Sequence, residues 1–296
     1  MFIKKACLTG TILIVLGVMA LSGCQPIEPQ TPLEDPPQSA SYLKVVDFDP
    51  GLFLSKKNTH QDRLVYDDVK GIITPHHLVA SHLIHDLFAS VEGSTYDHVL
   101  VMGPDHKNRD GVVVYTEDTG WQTPFGLLPL NDSFHTSLIQ LPYMAVDNKK
   151  IADDHAITAI IPYVAYYFPH VSINSMILPP TLSRNQAIEL GHFLKDTLDS
   201  DKTLLVASID FSHYLSVDTA YEKDSETLEA INNRDYLAIS RFTNDHVDSP
   251  QTLIAFLTYL DSIGHSEQIL LHHKNAYDIV PGDYFNTTSY FLMLYR

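Results

Sequence analysis

Cysteine is nearly absent from this chain of 296 residues, which contains only Cys7 and Cys24. Both lie in the first 24 residues, ahead of the part that we expect to fold. A domain without cysteine has no disulfide, no thiolate metal ligand and no cysteine nucleophile. Cysteine chemistry is therefore excluded from its function.

Basic residues are also scarce, because 19 Lys and Arg stand against 36 Asp and Glu for a net charge of −17. A field of this sign repels phosphate backbones, which excludes nucleic acid as a partner. Long apolar runs are missing after residue 24, so we expect no other segment to span a membrane. Apolar residues still make up 45% of the chain and charged residues 19%, which is typical of a folded globular protein.

Histidine is what the chain has in excess. Its 16 histidines nearly equal all of its lysines and arginines together. Histidine is both a common metal ligand and a group that titrates near neutral pH. The composition therefore indicates metal or proton chemistry without locating it.

The N-terminus has the pattern of an export signal. Lys4 and Lys5 precede an apolar run over residues 6–21, which is short for a membrane span, and residues 21–24 (LSGC) match the lipobox of bacterial lipoproteins. We predict a signal peptide over residues 1–23, lipidation of Cys24, and a proline-rich tether over residues 24–41. Removal of the signal peptide with its two lysines leaves a net charge of −19, so an anionic bilayer would repel the mature chain. The lipid on Cys24 would therefore be what attaches the chain to the membrane. The predicted location is the bacterial cell envelope, with the domain outside the cytoplasm.

The rest of the chain, residues 42–296, alternates β-branched runs with helical ones. The patterns predict strands at 71–75, 98–104, 111–117, 172–178, 203–209, 268–272 and 287–294, and helices at 78–91, 157–168, 185–198, 218–241 and 250–263. Strands separated by helices predict a single layered α/β domain with a central, largely parallel or mixed sheet flanked by helices.

Polar clusters follow several of these strands, where ligands collect in such folds. They are His76 and His77, Asp105 and His106, and Asp210, Ser212 and His213, with His246 in a loop between two helices. Two or three imidazoles with a carboxylate nearby suit Fe(II), Zn(II) or Cu(II). A plain turn with a solvated His106 is the alternative reading of that cluster, and His77 is expected to point away from His76.

Five short motifs resemble the Memo family, whose bacterial members are called AmmeMemoRadiSam system protein B. In chain order they are residues 71–76 (GIITPH), 103–106 (GPDH), 123–126 (TPFG), 154–157 (DHAI) and 208–214 (SIDFSHY). The resemblance extends from about residue 66 to the C-terminus, where residues 288–290 (TSY) look like the closing strand of the family. That fold is similar to the LigB-like class III extradiol dioxygenases, which are non-haem Fe(II) enzymes.

The resemblance implies that His76 and His106 are metal ligands and that Asp210 and His213 line the same pocket. The third ligand in the animal proteins is a cysteine shortly before a proline that opens a helix. Counting back from Pro250 places His246 at that position, which would replace a sulfur ligand by an imidazole.

Two departures from the family accompany this change. Residues 77–78 are His-Leu where the family has Ala-Gly, and Thr158 stands where the family's His-Ser-Ile-Glu element has its glutamate. A carboxylate is therefore missing from the site that the resemblance implies.

The leading prediction is a dioxygenase-like oxidoreductase that acts on an unidentified small substrate with a divalent metal, Fe(II) first and Zn(II) or Cu(II) as alternatives. His213, oriented by Asp210, would move a proton, and His155 would orient the substrate or support the ligands. The alternatives are a metal-dependent hydrolase and an envelope lipoprotein that binds a metal or a protein partner without turnover.

Overall fold

The structure is a computed structural model that describes residues 41–45, 48–57, 64–107 and 111–296. The signal peptide, Cys24 and the tether up to residue 40 lie outside the described residues. The chain from Ser41 to Arg296 forms one compact unit. None of the helices in the described ranges is both long enough and apolar enough to cross a membrane.

The strands of the described residues form one large and one small sheet. They are β1 (Leu43–Lys44), β2 (Gly71–Thr74), β3 (His98–Pro104), β4 (Val114–Thr116), β5 (Trp121–Thr123), β6 (Gly126–Leu128), β7 (Met144–Val146), β8 (Ser172–Leu178), β9 (Thr203–Ser208), β10 (Phe211–Leu215), β11 (Gln268–Asn275) and β12 (Thr287–Tyr295). The large sheet has the order β10, β12, β2, β9, β3, β8, β4 and β7, with β11 paired to β12, while β1, β5 and β6 form the small one. Strands β2, β9, β3 and β8 are parallel, and β12 and β4 flank them antiparallel.

Helices surround this sheet. They are α1 (Pro50–Ser55), α2 (Ser81–Ser90), α3 (Asp132–Leu138), α4 (Asn148–Asp153), α5 (His155–Thr158), α6 (Ile161–Tyr167), α7 (Arg184–Thr197), α8 (Val217–Asn232), α9 (Tyr236–Ile239), α10 (Pro250–Ile263) and α11 (Ala276–Ile279), with a 3-10 helix at Leu78–Ala80. The predicted α/β domain with a mixed central sheet and flanking helices is confirmed.

Two hydrophobic cores lie on opposite faces of the sheet, because successive strand side chains point to opposite sides. Along β9, Leu204 and Val206 belong to one core, and Leu205 and Ala207 belong to the other. The first core includes residues of α2 and α6, and the second includes residues of α7 and α10. All six residues of β9 are buried, which explains why this strand reads as a continuous apolar run.

Among the helices, the predicted boundaries hold best for one whose two ends carry a cap. Helix α10 has the predicted bounds: the Ser249 side chain accepts from Thr252 N, and Gly264 ends the helix at φ +79°. The predicted helix over 218–241 divides into α8 and α9 around Arg234, whose φ is +53°. The predicted helix over 157–168 also divides, into α5 and α6, and strand β10 was not predicted.

The topology decides where a site can form. Strand β9 lies between β2 and β3, so the carboxyl ends of these three parallel strands meet at one edge of the sheet. His76, His106 and Asp210 follow β2, β3 and β9 respectively. Ligand sites in α/β sheets form outside the carboxyl ends of the strands.

Candidate metal centre

Three histidines converge at this edge of the sheet. Among the described residues, one ring nitrogen from each of His76, His106 and His155 lies within 4.8 Å of the other two. The rings of His106 and His155 stack with centroids 4.0 Å apart, and the His76 ring lies at 5.1 and 5.0 Å from them, nearly perpendicular to both. The three residues differ in exposure: His76 is buried, His106 is partly buried and His155 is exposed.

Helix α5 reaches the end of β3 because residue 103 is a glycine. A Cβ on Gly103 would lie 2.7 Å from the Ala156 Cβ, closer than real contacts allow, and 3.1 Å from the Ser208 carbonyl oxygen. The missing side chain lets the first turn of α5 pack against β3. His155, the first residue of α5, is thereby placed beside His106.

Asp154 holds both His106 and α5. Its Oδ1 accepts from His106 Nδ1 at 2.8 Å and from Ala156 N at 3.0 Å, and its Oδ2 accepts from His106 N at 3.0 Å. Burial acts to raise the pKa of Asp154, but the hydrogen bonds from His106 and Ala156 outweigh it and the pKa is lowered. A carboxylate on Nδ1 leaves Nε2 of His106 as the nitrogen that is free to bind a metal.

The surroundings of His76 leave its Nε2 unprotonated. Ser208 donates its hydroxyl proton to Ala156 O at 2.6 Å, so its oxygen accepts from His76 Nδ1 at 3.3 Å. Burial, reinforced by the charges of His106 and His155, holds the pKa of His76 well below its ordinary value. The ring is therefore neutral at neutral pH, with the lone pair on Nε2.

Two carboxylates face that lone pair. Asp248 Oδ2 lies 3.4 Å and Asp210 Oδ2 lies 3.6 Å from His76 Nε2, and both side chains are less than a tenth exposed. Burial raises the pKa of both carboxyl groups. Asp248 Oδ1 is also buried, without a hydrogen-bond partner among the described residues. The lone pair of an unprotonated nitrogen repels carboxylate oxygens at this separation unless a proton or a metal cation lies between them. Two ligand atoms that are each about 2.1 Å from one tetrahedral ion lie about 3.4 Å apart, which matches the observed distances. The residues present therefore fit a divalent metal.

His246 does not join this group, which corrects its predicted place as the third metal ligand. Its Nε2 lies 2.9 Å from Glu226 Oε2, and its ring stacks on Phe242 at a centroid distance of 4.2 Å. The chain turns here, with His246 N donating to Thr243 O, and the turn directs the imidazole toward α8. The third imidazole of the group comes from His155, which was predicted to orient the substrate or support the ligands.

The three histidines belong to a cavity of about 780 Å³. Other residues lining it are His77, Leu78, Phe48, Asp210, His213, Tyr214 and Asp248. His77 therefore shares the cavity with His76, contrary to expectation, because the strand ends at Thr74 and the alternation of side chains ends with it. Tyr214 stands on the rim, 71% exposed, with a positive φ of +59°.

His213 and Asp210, the predicted proton-transfer pair, both line this cavity. Burial lowers the pKa of His213, while the charge of Asp210 opposes that shift. The backbone N–H of His213 donates to Asn244 O at 2.8 Å, and its Nδ1 is buried without a hydrogen-bond partner among the described residues. The lining of the cavity thus carries a neutral imidazole in addition to the three that converge.

Sequence reasoning did not name Asp248 and gave His77 no role in the site. Asp248 lies two residues before Pro250, in the stretch from which His246 was chosen, so an acidic residue beside a helix-opening proline was the available signal. For His77 the signal was its departure from the Ala-Gly of the family pattern. Neither signal indicates by itself which way a side chain points.

Known proteins similar to this chain share one family description. The family model described as "Memo-like protein" matches residues 53–293. A MEMO1 family protein of Methanopyrus kandleri is 26% identical over 241 residues, which cover 76% of this chain and 83% of that protein. A MEMO1 family protein of Methanosarcina mazei is 28% identical over 228 residues, covering 72% of this chain and 80% of the relative.

A solved structure shares the fold. The crystal structure of an uncharacterized protein from Escherichia coli K12 superimposes with a TM-score of 0.50 at 14% sequence identity. The match covers 75% of this chain and 98% of the other. At this identity the similarity concerns the fold alone.

Proposed function

The chain belongs to the Memo family, and on that premise we propose that it is a metal-dependent oxidoreductase whose centre holds Fe(II) and acts, like a dioxygenase, on a small substrate. The observation that carries the proposal is the convergence of His76, His106 and His155 within 4.8 Å at the carboxyl ends of the strands. Imidazoles with a neighbouring carboxylate are a donor set of non-haem Fe(II) oxygenases. Zn(II) and Cu(II) also accept imidazole ligands and are the alternative metals.

Fe(II) in this donor set would supply a redox-active Lewis acid with open positions for O₂ and a chelating substrate. Neighbouring residues of the chain set the tautomers of the ligand histidines. Asp154 fixes the tautomer of His106, and Ser208 holds Nδ1 of His76. Desolvation in the cavity is the first cause that lowers the pKa values of His76 and His155, and it favours the neutral rings that bind a cation.

His213 is the proposed general base, and Asp210 is its electrostatic partner. A neutral imidazole that lines the cavity can take a proton from a hydroxyl group of a bound substrate. The nearby Asp210 carboxylate would stabilise the imidazolium that results. Asp248 and Asp210 are joined by two hydrogen bonds, in which Asp210 N donates to Asp248 Oδ2 and Asp248 N donates to Asp210 O. Asp248 therefore adds a second carboxyl group beside Asp210 in the cavity lining.

Metal-assisted hydrolysis is the second candidate, because three imidazoles are also a zinc donor set. A zinc ion there would lower the pKa of bound water to about 7. Oxygen consumption with Fe(II) and a catechol-like substrate supports the first proposal, whereas turnover with zinc alone supports hydrolysis. Metal binding without any turnover would make the chain a metal- or protein-binding module.

Elemental analysis of the purified full chain tests the centre itself. We expect stoichiometric metal in the wild type and loss of it in the triple variant His76→Ala, His106→Ala, His155→Ala. His246→Ala is the matched control and should keep its metal, because its ring contacts Glu226 and Phe242. Equal metal content in the wild type and the triple variant would overturn the ligand assignment.

The proposed location is the bacterial cell envelope, with the chain held by a lipid on Cys24. The signal pattern over residues 1–23 and the lipobox support this proposal. The tether over residues 24–41 would hold the domain, residues 42–296, away from the membrane surface.

A further inference from the structure

His77 is an imidazole of the cavity that the proposed metal centre does not use. It lines the same cavity as His76, His106 and His155, but it stands outside the group of three that converge. The residue is exposed, so its ring is accessible to a molecule that enters the cavity. The position is also one where this chain departs from the family pattern.

A buried tyrosine holds this ring. Tyr290 of β12 is fully buried, and its hydroxyl oxygen lies 2.7 Å from His77 Nδ1. Burial raises the pKa of Tyr290 far above its ordinary value, so the phenol is neutral and keeps its proton. Within the described part of the chain, His77 Nδ1 is the one hydrogen-bond partner found for this hydroxyl.

This contact sets the tautomer of His77. A buried hydroxyl that fails to donate its proton costs about 1–3 kcal/mol, so Tyr290 donates to Nδ1. A neutral imidazole that accepts at Nδ1 carries its proton on Nε2. Nε2 has no hydrogen-bond partner among the described residues, and the ring lines the cavity, so this N–H is available to a bound molecule.

We propose that His77, held by Tyr290, is a positioning residue that donates its Nε2–H to an anionic oxygen of the molecule bound at the metal centre. The inference rests on the proposed function, because it needs a ligand at the centre formed by His76, His106 and His155. The inference names a class of ligand, which is a chelator that presents a carboxylate or phenolate oxygen to His77. A ligand that binds through nitrogen alone gains nothing from this donor.

Ligand affinities of the Co(II)-loaded full chain test the inference. The two probes are 4-nitrocatechol, which presents anionic oxygens, and imidazole, which does not. A hydrogen bond to a charged group is strong enough that His77→Ala should weaken 4-nitrocatechol binding by about 10-fold or more. Tyr290→Phe should weaken it several-fold, since the ring remains but is no longer held. Imidazole affinity and cobalt content should stay at the wild-type level in both variants.

Leu78→Ala is the matched control, because Leu78 is the adjacent cavity residue and has no polar side-chain atom. It should change the affinities for the two probes in parallel. Equal weakening of both probes in His77→Ala would mean that the pair only supports the wall, and wild-type affinity for 4-nitrocatechol would mean that no hydrogen bond forms; either result overturns the inference. Failure of the wild type to bind cobalt would instead overturn the metal centre, and His77 would lose its role with it.

Discussion

Asp154 binds His106 twice, through the backbone N–H at 3.0 Å and through ring Nδ1 at 2.8 Å. The same carboxylate caps α5, the helix that begins with His155. One buried side chain therefore sets the direction of two of the three imidazoles. Carboxylates in this position fix the tautomer of a ligating histidine and raise its basicity.

Replacement of Asp154 by Asn is expected to weaken metal binding by about 10- to 100-fold. The amide oxygen of Asn can still cap α5. The amide nitrogen cannot accept a hydrogen bond, so one of the two bonds from His106, that of the backbone N–H or that of ring Nδ1, is lost. Competition with a chelator of known affinity measures the change. Asp147→Asn is the matched control, because Asp147 caps α4 and bonds no imidazole. Equal metal affinities in the two variants would contradict the orienting role of Asp154.

Glu117 makes the unfolding free energy depend on pH. Burial raises its pKa to about 8, and its carboxyl group is bonded to the backbone and hydroxyl of Ser175. Between pH 4.5 and about 8 the folded state therefore binds more protons than the unfolded state, so stability falls as pH rises through this window, by up to about 1.4 kcal/mol per pH unit.

Glu117→Gln should flatten that slope and raise the unfolding free energy at pH 8 relative to the wild type. Denaturant titrations at pH 5 and pH 8 measure the difference. Glu226→Gln is the control, because the hydrogen bond from His246 lowers the pKa of Glu226. That carboxyl group is therefore ionised in both the folded and the unfolded state from pH 5 to pH 8, and its removal should leave the slope unchanged. A wild-type slope that persists in Glu117→Gln would show that Glu117 is ionised in the folded protein.

The backbone of Tyr214, at the rim of the cavity, has a strained left-handed conformation. A non-glycine residue at φ +59° costs about 1–2 kcal/mol, and glycine relieves this at an entropic cost of about 0.5–1 kcal/mol. Because the ring is 71% exposed, its removal loses little burial. Tyr214→Gly should therefore raise the unfolding free energy by about 0.5–1 kcal/mol, measured by denaturant titration. Leu215→Gly, in the same strand without a positive φ, should lower it, and a lower stability of Tyr214→Gly would contradict the strain.

Cys24→Ser should move the chain from the membrane fraction to the soluble envelope fraction. A serine cannot accept the thioether-linked lipid that the lipobox implies, and the remaining acidic chain has no attraction to an anionic bilayer. Cell fractionation and the mass of the N-terminal peptide measure the outcome. Cys7→Ser, inside the proposed signal, is the control and should stay with the membrane. Membrane retention of Cys24→Ser would contradict lipid anchoring.

The fold could be predicted because its strongest signals are local. Strands β3 and β8 have the predicted bounds, since buried strands read as apolar runs. Helix α10 is predictable from a serine, a proline and a glycine at its ends. Strand β10 was missed because it is an interrupted strand, with register shifts on both sides of His213.

The candidate site was predictable only in part. The ends of parallel strands place His76 and His106 together once the sheet is known. His155 depends on the close approach of α5 to Gly103, which is a property of the packed structure. His246 was misplaced because counting along the chain gives the position of a residue in a turn but not the direction of its side chain.

Strand β9 also determines when the site can assemble. It lies between β2 and β3, and Ser208 at its end bonds both His76 and the backbone of α5. All three imidazoles belong to the first 155 residues, yet β2 and β3 have no common edge until a strand from residues 203–208 is inserted between them. A fragment that ends before residue 203 is therefore expected to lack the complete proposed metal centre, although it contains all three histidines.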